Sequence, residues 1–207
     1  MSAKQNILNR INKALQQAVP LPFPNSVGDS DVFVNPQMDN VALFQQEFTR
    51  LQGIFSLCDT EAVLLQQLQA LFEQKQWSKI YCVEPQLVQL LAQIQVPLHT
   101  HLPSCQVSLT SCEALVARTG TMVLTTAQAS GRTTSVYAPI HICIAYQRQL
   151  VYNVSHALAH LKEKYTQQFP SFVTFASGPS RTADIEKTLV TGVHGPKEVY
   201  CFLVANA

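Results

Sequence analysis

The chain has 207 residues, 47% of them hydrophobic and only 13% charged, with a net charge of +1 at neutral pH. That length suits one domain with a sizeable core, and the near-neutral balance gives no field that would draw in nucleic acid or an anionic membrane surface. No apolar run reaches the roughly 18 residues of a membrane helix, and no basic segment precedes an apolar one at the N-terminus, so the expected location is the cytoplasm with no membrane span.

Residues 3–18 place Ile7, Ile11, Leu15 and Ala18 at helical spacing behind a candidate N-cap, Ser2. Pro20, Pro22, Pro24 and Pro36 then predict an extended arm over 20–37. The expected organisation is an N-terminal helix and Pro-rich arm over 1–37, followed by an α/β domain over 38–207. A helix is predicted over 40–52, with Gly53 at its C-terminal cap. Strand 54–57 leads to a helix capped by Asp59 or Thr60 and reaching about Gln74. Strand 79–83 follows, then a helix with Pro85 in its first turn, where the missing N–H costs nothing.

Residues 106–109 read as a strand. Thr110 and Glu113 have capping-box spacing, which predicts a short helix over 111–117. Further strands are expected over 121–126, 140–146, 150–154, 172–176 and 199–204. Helices are expected from about 155 to Gln167 and over 183–189. Short strands alternating with helices of this length predict a mostly parallel sheet with helices on both faces. Ligands in such folds gather beyond the carboxyl ends of strands, which points to the polar loops after Thr126 and after Ala176.

The run from Phe175 to Lys197 holds three of the chain's seven glycines, Gly178, Gly192 and Gly195. Within it, Ser177-Gly178-Pro179-Ser180-Arg181-Thr182 lies between a predicted strand and a predicted helix. Backbone N–H groups, hydroxyls and a helix dipole would favour an anion there, and the Arg181 guanidinium suits a carboxylate or phosphate. Asp184 would sit in the first helical turn. His194, between two glycines, is the candidate general acid or base. A second polar cluster comprises Glu113 and the Thr119-Gly120-Thr121 turn, and Arg132 is a further anion contact. His99, His101, His141, His156 and His160 read as structural or surface residues. Six scattered cysteines without a Cys-x-x-Cys read as buried thiols in a reducing compartment, with no metal site in this chain.

Thr119-Gly120-Thr121, Ala138-Pro-Ile-His-Ile142, Ser177 to Glu186 and Gly192 to Pro196 together resemble the LUD-domain family of lactate utilisation protein C. The resemblance spans roughly residues 40–205. It implies an α/β fold similar to the NagB/RpiA/CoA-transferase-like proteins. It also implies membership of a cytoplasmic system that oxidises L-lactate to pyruvate with iron-sulfur partner subunits. Any iron-sulfur clusters would belong to those partners and not to this chain, and lactate would be a fitting small anion. Arg118 stands just before Thr119, where the family usually carries an acidic residue; the nearest acidic residue retained is Glu113. The alternative is a stand-alone enzyme acting on a phosphosugar, folate or CoA-linked substrate in the same pocket.

Overall fold

A computed structural model describes residues 2–16, 38–185 and 188–206. The predicted arm over 20–37 lies outside them. By contacts the chain divides into Met1–Pro36 and Gln37–Ala207. In the first unit, helix α1 (Ala3–Leu15) starts at Ser2, whose hydroxyl accepts from the Gln5 N–H, and its Ile7, Leu8 and Ile11 are exposed.

The second unit opens with α2 (Asn40–Arg50), β1 (Ile54–Cys58), α3 (Glu61–Lys75), β2 (Ile80–Tyr81) and α4 (Pro85–Ala92). It continues through β3 (Val107–Thr110), β4 (Ala114–Val116), β5 (Thr121–Thr125), α5 (Thr134–Tyr137), β6 (Ile140–Tyr146), β7 (Leu150–Val151) and α6 (Val154–Lys164). It closes with β8 (Val173–Ala176), β9 (Arg181–Ile185), β10 (Thr188–Thr191) and β11 (Glu198–Val204).

Caps fix several of these starts. The Asp39 carboxylate accepts from the N–H groups of Val41 and Ala42 at 2.9 and 3.4 Å, Thr60 caps α3, and Pro85 opens α4. At the end of α2 the left-handed residue is Gln52 (φ 68), and the Gly53 N–H closes the turn on the Phe48 carbonyl. Asp39→Ala should cost about 1 kcal/mol, the usual worth of an N-cap, with the urea midpoint lowered and the slope unchanged.

The central sheet has the order β1-β11-β6-β3-β2, and every neighbouring pair is parallel. Strands buried on both sides read as continuous apolar runs, which is how β6 and β11 read. Their side chains alternate between two interiors. Ile142, Ile144, Phe202 and Val204 pack with Leu64, Leu68 and Phe72 of α3 and Leu87 and Leu91 of α4. Cys143, Ala145, Cys201 and Leu203 point the other way, onto Phe44 and Phe48 of α2 and onto Leu115, Met122 and Leu124. Helices therefore lie against both faces of the parallel sheet, as the alternation of elements predicts.

The second face also carries something the pattern did not foretell, a four-stranded sheet in the order β7-β4-β5-β8. Its β4–β5 and β5–β8 pairs are antiparallel and its β4–β7 pair is parallel. Val116 and Val123 on its far side rest on Ala157 and Leu161 of α6. Burying each such aliphatic or aromatic side chain contributes about 1.5–3 kcal/mol, so these interiors hold the layers together. All six cysteines are buried thiols, three of them (Cys112, Cys143, Cys201) in the layer between the two sheets.

Two expected helices are strands. Residues 114–116 form β4, paired with β5 from Ala114↔Val123 to Val116↔Thr121. The capping box does not form: the Thr110 hydroxyl meets His141, and Glu113 binds across the hairpin to Thr125. A fully buried Ala-Leu-Val triplet satisfies more backbone and apolar surface by pairing than one exposed helical turn could. Residues 181–185 and 188–191 form the antiparallel strands β9 and β10, with Thr191 opposite Arg181 and Val190 opposite Thr182. Thr182, Ile185, Thr188, Val190 and Thr191 are β-branched, and that content prevails over the helix-start signal.

Candidate functional site

A cavity of about 250 Å³ brings together the two glycine-bearing motifs of the C-terminal third. Ser177, Gly178, Pro179 and Ser180 line one part of it, and His194, Gly195 and Pro196 another. Backbone hydrogen bonds clamp the two segments: the Ser180 N–H donates to the Pro196 carbonyl at 2.9 Å, and the Gly192 N–H to the Ser180 carbonyl at 2.8 Å. The approach at Gly195 is tight, since a Cβ there would lie 2.9 Å from the Ser180 Cβ.

The Thr119–Thr121 turn is tied to the same wall. Thr121 Oγ1 lies 2.6 Å from Ser177 Oγ and 2.8 Å from Thr119 Oγ1. Gly120, between them, adopts φ +56 at the end of the 3-10 turn Ala117–Thr119 and packs on the backbone of α2. Thr119, Gly120 and Thr121 therefore support the cavity without lining it.

The remaining polar lining is Ser135 of α5, His141 of β6 and Thr174 of β8. His141 is 1% exposed, and its Nε2 lies 2.9 Å from Thr110 Oγ1. Burial lowers its pKa from 6.5 to about 4, so the ring is neutral at physiological pH. Nδ1 makes no other hydrogen bond among the described residues. A neutral ring fixed at one nitrogen offers a single directed hydrogen bond to whatever occupies the cavity.

His141 and Val199 are the second residues of β6 and β11, so this cavity lies at the amino ends of those strands. The carboxyl-end expectation fails here for a topological reason. The loop after Ala176 leaves β8, which belongs to the second sheet and pairs antiparallel with β5.

Several expected ligands lie elsewhere. Arg181 and Thr182 begin β9, where Arg181 is exposed, and Asp184 lies within the same strand. With a strand in place of the helix, no helix dipole acts on residues 177–182. Arg132 donates to Ser171 Oγ at 2.9 Å and lies 5.4 Å from the centre of the Phe172 ring, lining neither cavity.

Glu113 lines a second, larger cavity of about 760 Å³, beyond the carboxyl ends of β2, β3 and β6. Its carboxylate is held by Thr125 Oγ1 at 3.0 Å, Tyr165 Oη at 2.7 Å and Lys164 Nζ at 2.7 Å. Burial and the adjacent carboxylate both push the Tyr165 hydroxyl up. Burial pulls the Lys164 ammonium down, but the hydrogen bond and charge of Glu113 outweigh it and hold that group above its ordinary value. The loop after Thr126 contributes Ala127, Gln128 and Ala129 to this cavity, at the end of the sheet where loops were expected to gather. Arg118 Nη2, near the other end of β4, donates to Asn153 Oδ1 at 3.3 Å.

From the sequence His141 read as structural, and Ser135 and Glu84 did not stand out. One signal for His141 was available: a lone imidazole inside the otherwise apolar run Ile140–Ala145 must find a partner or a cavity. Ser135 and Glu84 carried no comparable mark.

Residues 84–204, more than half of the chain, match the family model described as LUD domain. Lactate utilization protein C of Shouchella clausii is 35% identical over 101 residues, 48% of this chain and 44% of that protein. Its namesake in Halalkalibacterium halodurans is 37% identical over 102 residues, with the same coverage of 48% and 44%. The match thus spans less than half the length of these curated relatives. The crystal structure of a DUF162 family protein from Deinococcus radiodurans superposes with a TM-score of 0.61 at 16% identity, covering 80% of this chain and 96% of that one.

Proposed function

This chain belongs to the LUD domain family, and on that premise we propose that it serves lactate utilisation as a subunit of a cytoplasmic system oxidising L-lactate to pyruvate. Its part is to bind the small carboxylate in the 250 Å³ cavity, while iron-sulfur partner subunits carry the redox clusters. The observation that carries this reading is the convergence of Ser177, Ser180, Ser135 and neutral His141 on one small cavity.

Hydroxyls of the three serines donate to the carboxylate oxygens. The free ring nitrogen of His141 then either donates to the carboxylate or accepts from the 2-hydroxyl, according to tautomer. His194 lines the same cavity and is the group placed to exchange a proton with solvent, being exposed. The anion is met by hydroxyls and a fixed imidazole, without the helix terminus or Arg181.

Calorimetric titration with L-lactate and pyruvate tests this. Saturable binding is expected, weakened about 10- to 100-fold in both Ser177→Ala and His141→Gln, since a hydrogen bond to a charged group contributes about 1.5–3 kcal/mol. Arg132→Ala and Arg181→Ala should bind as the parent does. Absence of lactate and pyruvate binding, or binding indifferent to both cavity variants, rejects the site. Purification from cells grown on lactate without any iron-sulfur protein rejects the subunit assignment.

A further inference from the structure

The larger cavity holds an unusual balance of charge that the small-carboxylate reading does not use. At about 760 Å³ it has about three times the volume of the other and falls within the roughly 300–1,000 Å³ of organic-ligand sites. It opens beyond the carboxyl ends of three neighbouring parallel strands, the usual place for a ligand in an open α/β sheet.

Among its charged lining residues, Glu113 and Lys164 compensate each other at 2.7 Å. Glu84 is left over. It is 1% exposed, and its oxygens accept from the Ser111 N–H at 3.1 and 3.2 Å and from the Ser111 hydroxyl. Gln128 Nε2 extends this chain by donating to Ser111 Oγ at 3.0 Å. No cation lies within ion-pair distance of Glu84 among the described residues. A buried carboxylate held only by neutral donors is costly, and an arriving ammonium would offset that cost.

Arg148 has the opposite imbalance. Its guanidinium stacks 4.6 Å from the centre of the Tyr146 ring and has no carboxylate partner among the described residues. Stacking orients the fork in advance, and its donors suit a carboxylate or phosphate. One cavity therefore contains a buried anion without a cationic partner and an exposed, pre-oriented cation without an anionic one.

We propose that this cavity is a second ligand site, taking a zwitterionic organic molecule whose ammonium meets Glu84 and whose carboxylate or phosphate meets Arg148. It is separate from the lactate cavity and does not depend on it.

The test uses the full chain and a series of probes, namely glycine, 4-aminobutyrate and 6-aminohexanoate, against hexanoate and hexylamine as single-charge controls, with binding read by ligand-observed NMR. At least one longer zwitterion should bind at least tenfold more tightly than either control. Arg148→Ala, an exposed substitution that leaves the core intact, should lower that affinity at least tenfold. Glu84→Gln should do the same, while L-lactate affinity stays at the parent value in Arg148→Ala. Failure of every zwitterion to bind, equal binding of hexanoate, or an Arg148→Ala protein with unchanged affinity each overturns the proposal. Loss of lactate binding in Arg148→Ala would instead show that the two cavities are not separate.

Discussion

Gly120→Ala should lower the unfolding free energy by about 2–5 kcal/mol, a large share of the roughly 5–15 kcal/mol that holds a domain together. Two costs add. The residue holds φ +56, a left-handed conformation that charges any side chain about 1–2 kcal/mol. The new Cβ would also lie 2.4 Å from the Phe48 amide nitrogen and 2.6 Å from the Glu47 carbonyl carbon. Those atoms are helix backbone and cannot rotate aside, so α2 must shift, at about 1–3 kcal/mol for overpacking. Gly131→Ala separates the two costs. Gly131 has φ +63 with nothing among the described residues within 4 Å of an added Cβ, so only the conformational part, about 1 kcal/mol, applies. Urea denaturation of both variants measures the difference, and equal losses would show that α2 does not press on Gly120.

Stability should also fall on acidification through the His141 ring. Its pKa is lowered from 6.5 to about 4 by burial, so between those values the unfolded chain binds a proton that the folded chain refuses. The contribution is fully present above pH 6.5 and is lost progressively as pH falls to about 4. At about 1.36 kcal/mol per pH unit that window corresponds to about 3 kcal/mol. Carboxylates titrate in the lower part of the same range, so the informative quantity is the difference between the parent protein and His141→Asn. The parent should lose about 3 kcal/mol more than the variant between pH 7 and pH 4. Parallel pH curves would mean that the ring is protonated in place.

Periodicity made the helices and the parallel strands legible, because α3, α4, β6 and β11 bury apolar residues in unbroken or 3.6-residue patterns. Thr60 and Pro85 marked the starts of α3 and α4. The second sheet was less legible. Its β4 is three residues long, preceded by a Thr-x-x-Glu that fits a helix start as well as a hairpin. Spacing does not say whether Thr110 will cap its own segment or reach an imidazole 31 positions away.

The candidate site divides in the same way. Ser177 to Ser180 and His194 to Pro196 stood out by their glycines and do converge. Arg181 and Arg132 stood out as cations in polar loops, and neither lines either cavity. Glu113 was noticed as a cap but lies in a different cavity, with partners fixed by long-range packing of α6. His141 and Glu84 gain their character from burial, which depends on which residues close over them.

The strand order has a consequence for how the chain is made. β11 lies between β1 and β6, so β1, an edge strand among the described residues, has its in-sheet neighbour there about 150 residues further along the chain. A ribosome that has released β1 through β10 has produced a protein whose first strand still lacks a partner and whose β6 has one open flank. Until β11 emerges, α3 and α4 can cover only part of their interior, and the exposed edges of β1 and β6 are open to foreign strands. Completion of the parallel sheet is therefore a late event, dominated by distant pairings that form slowly and favour aggregation when delayed.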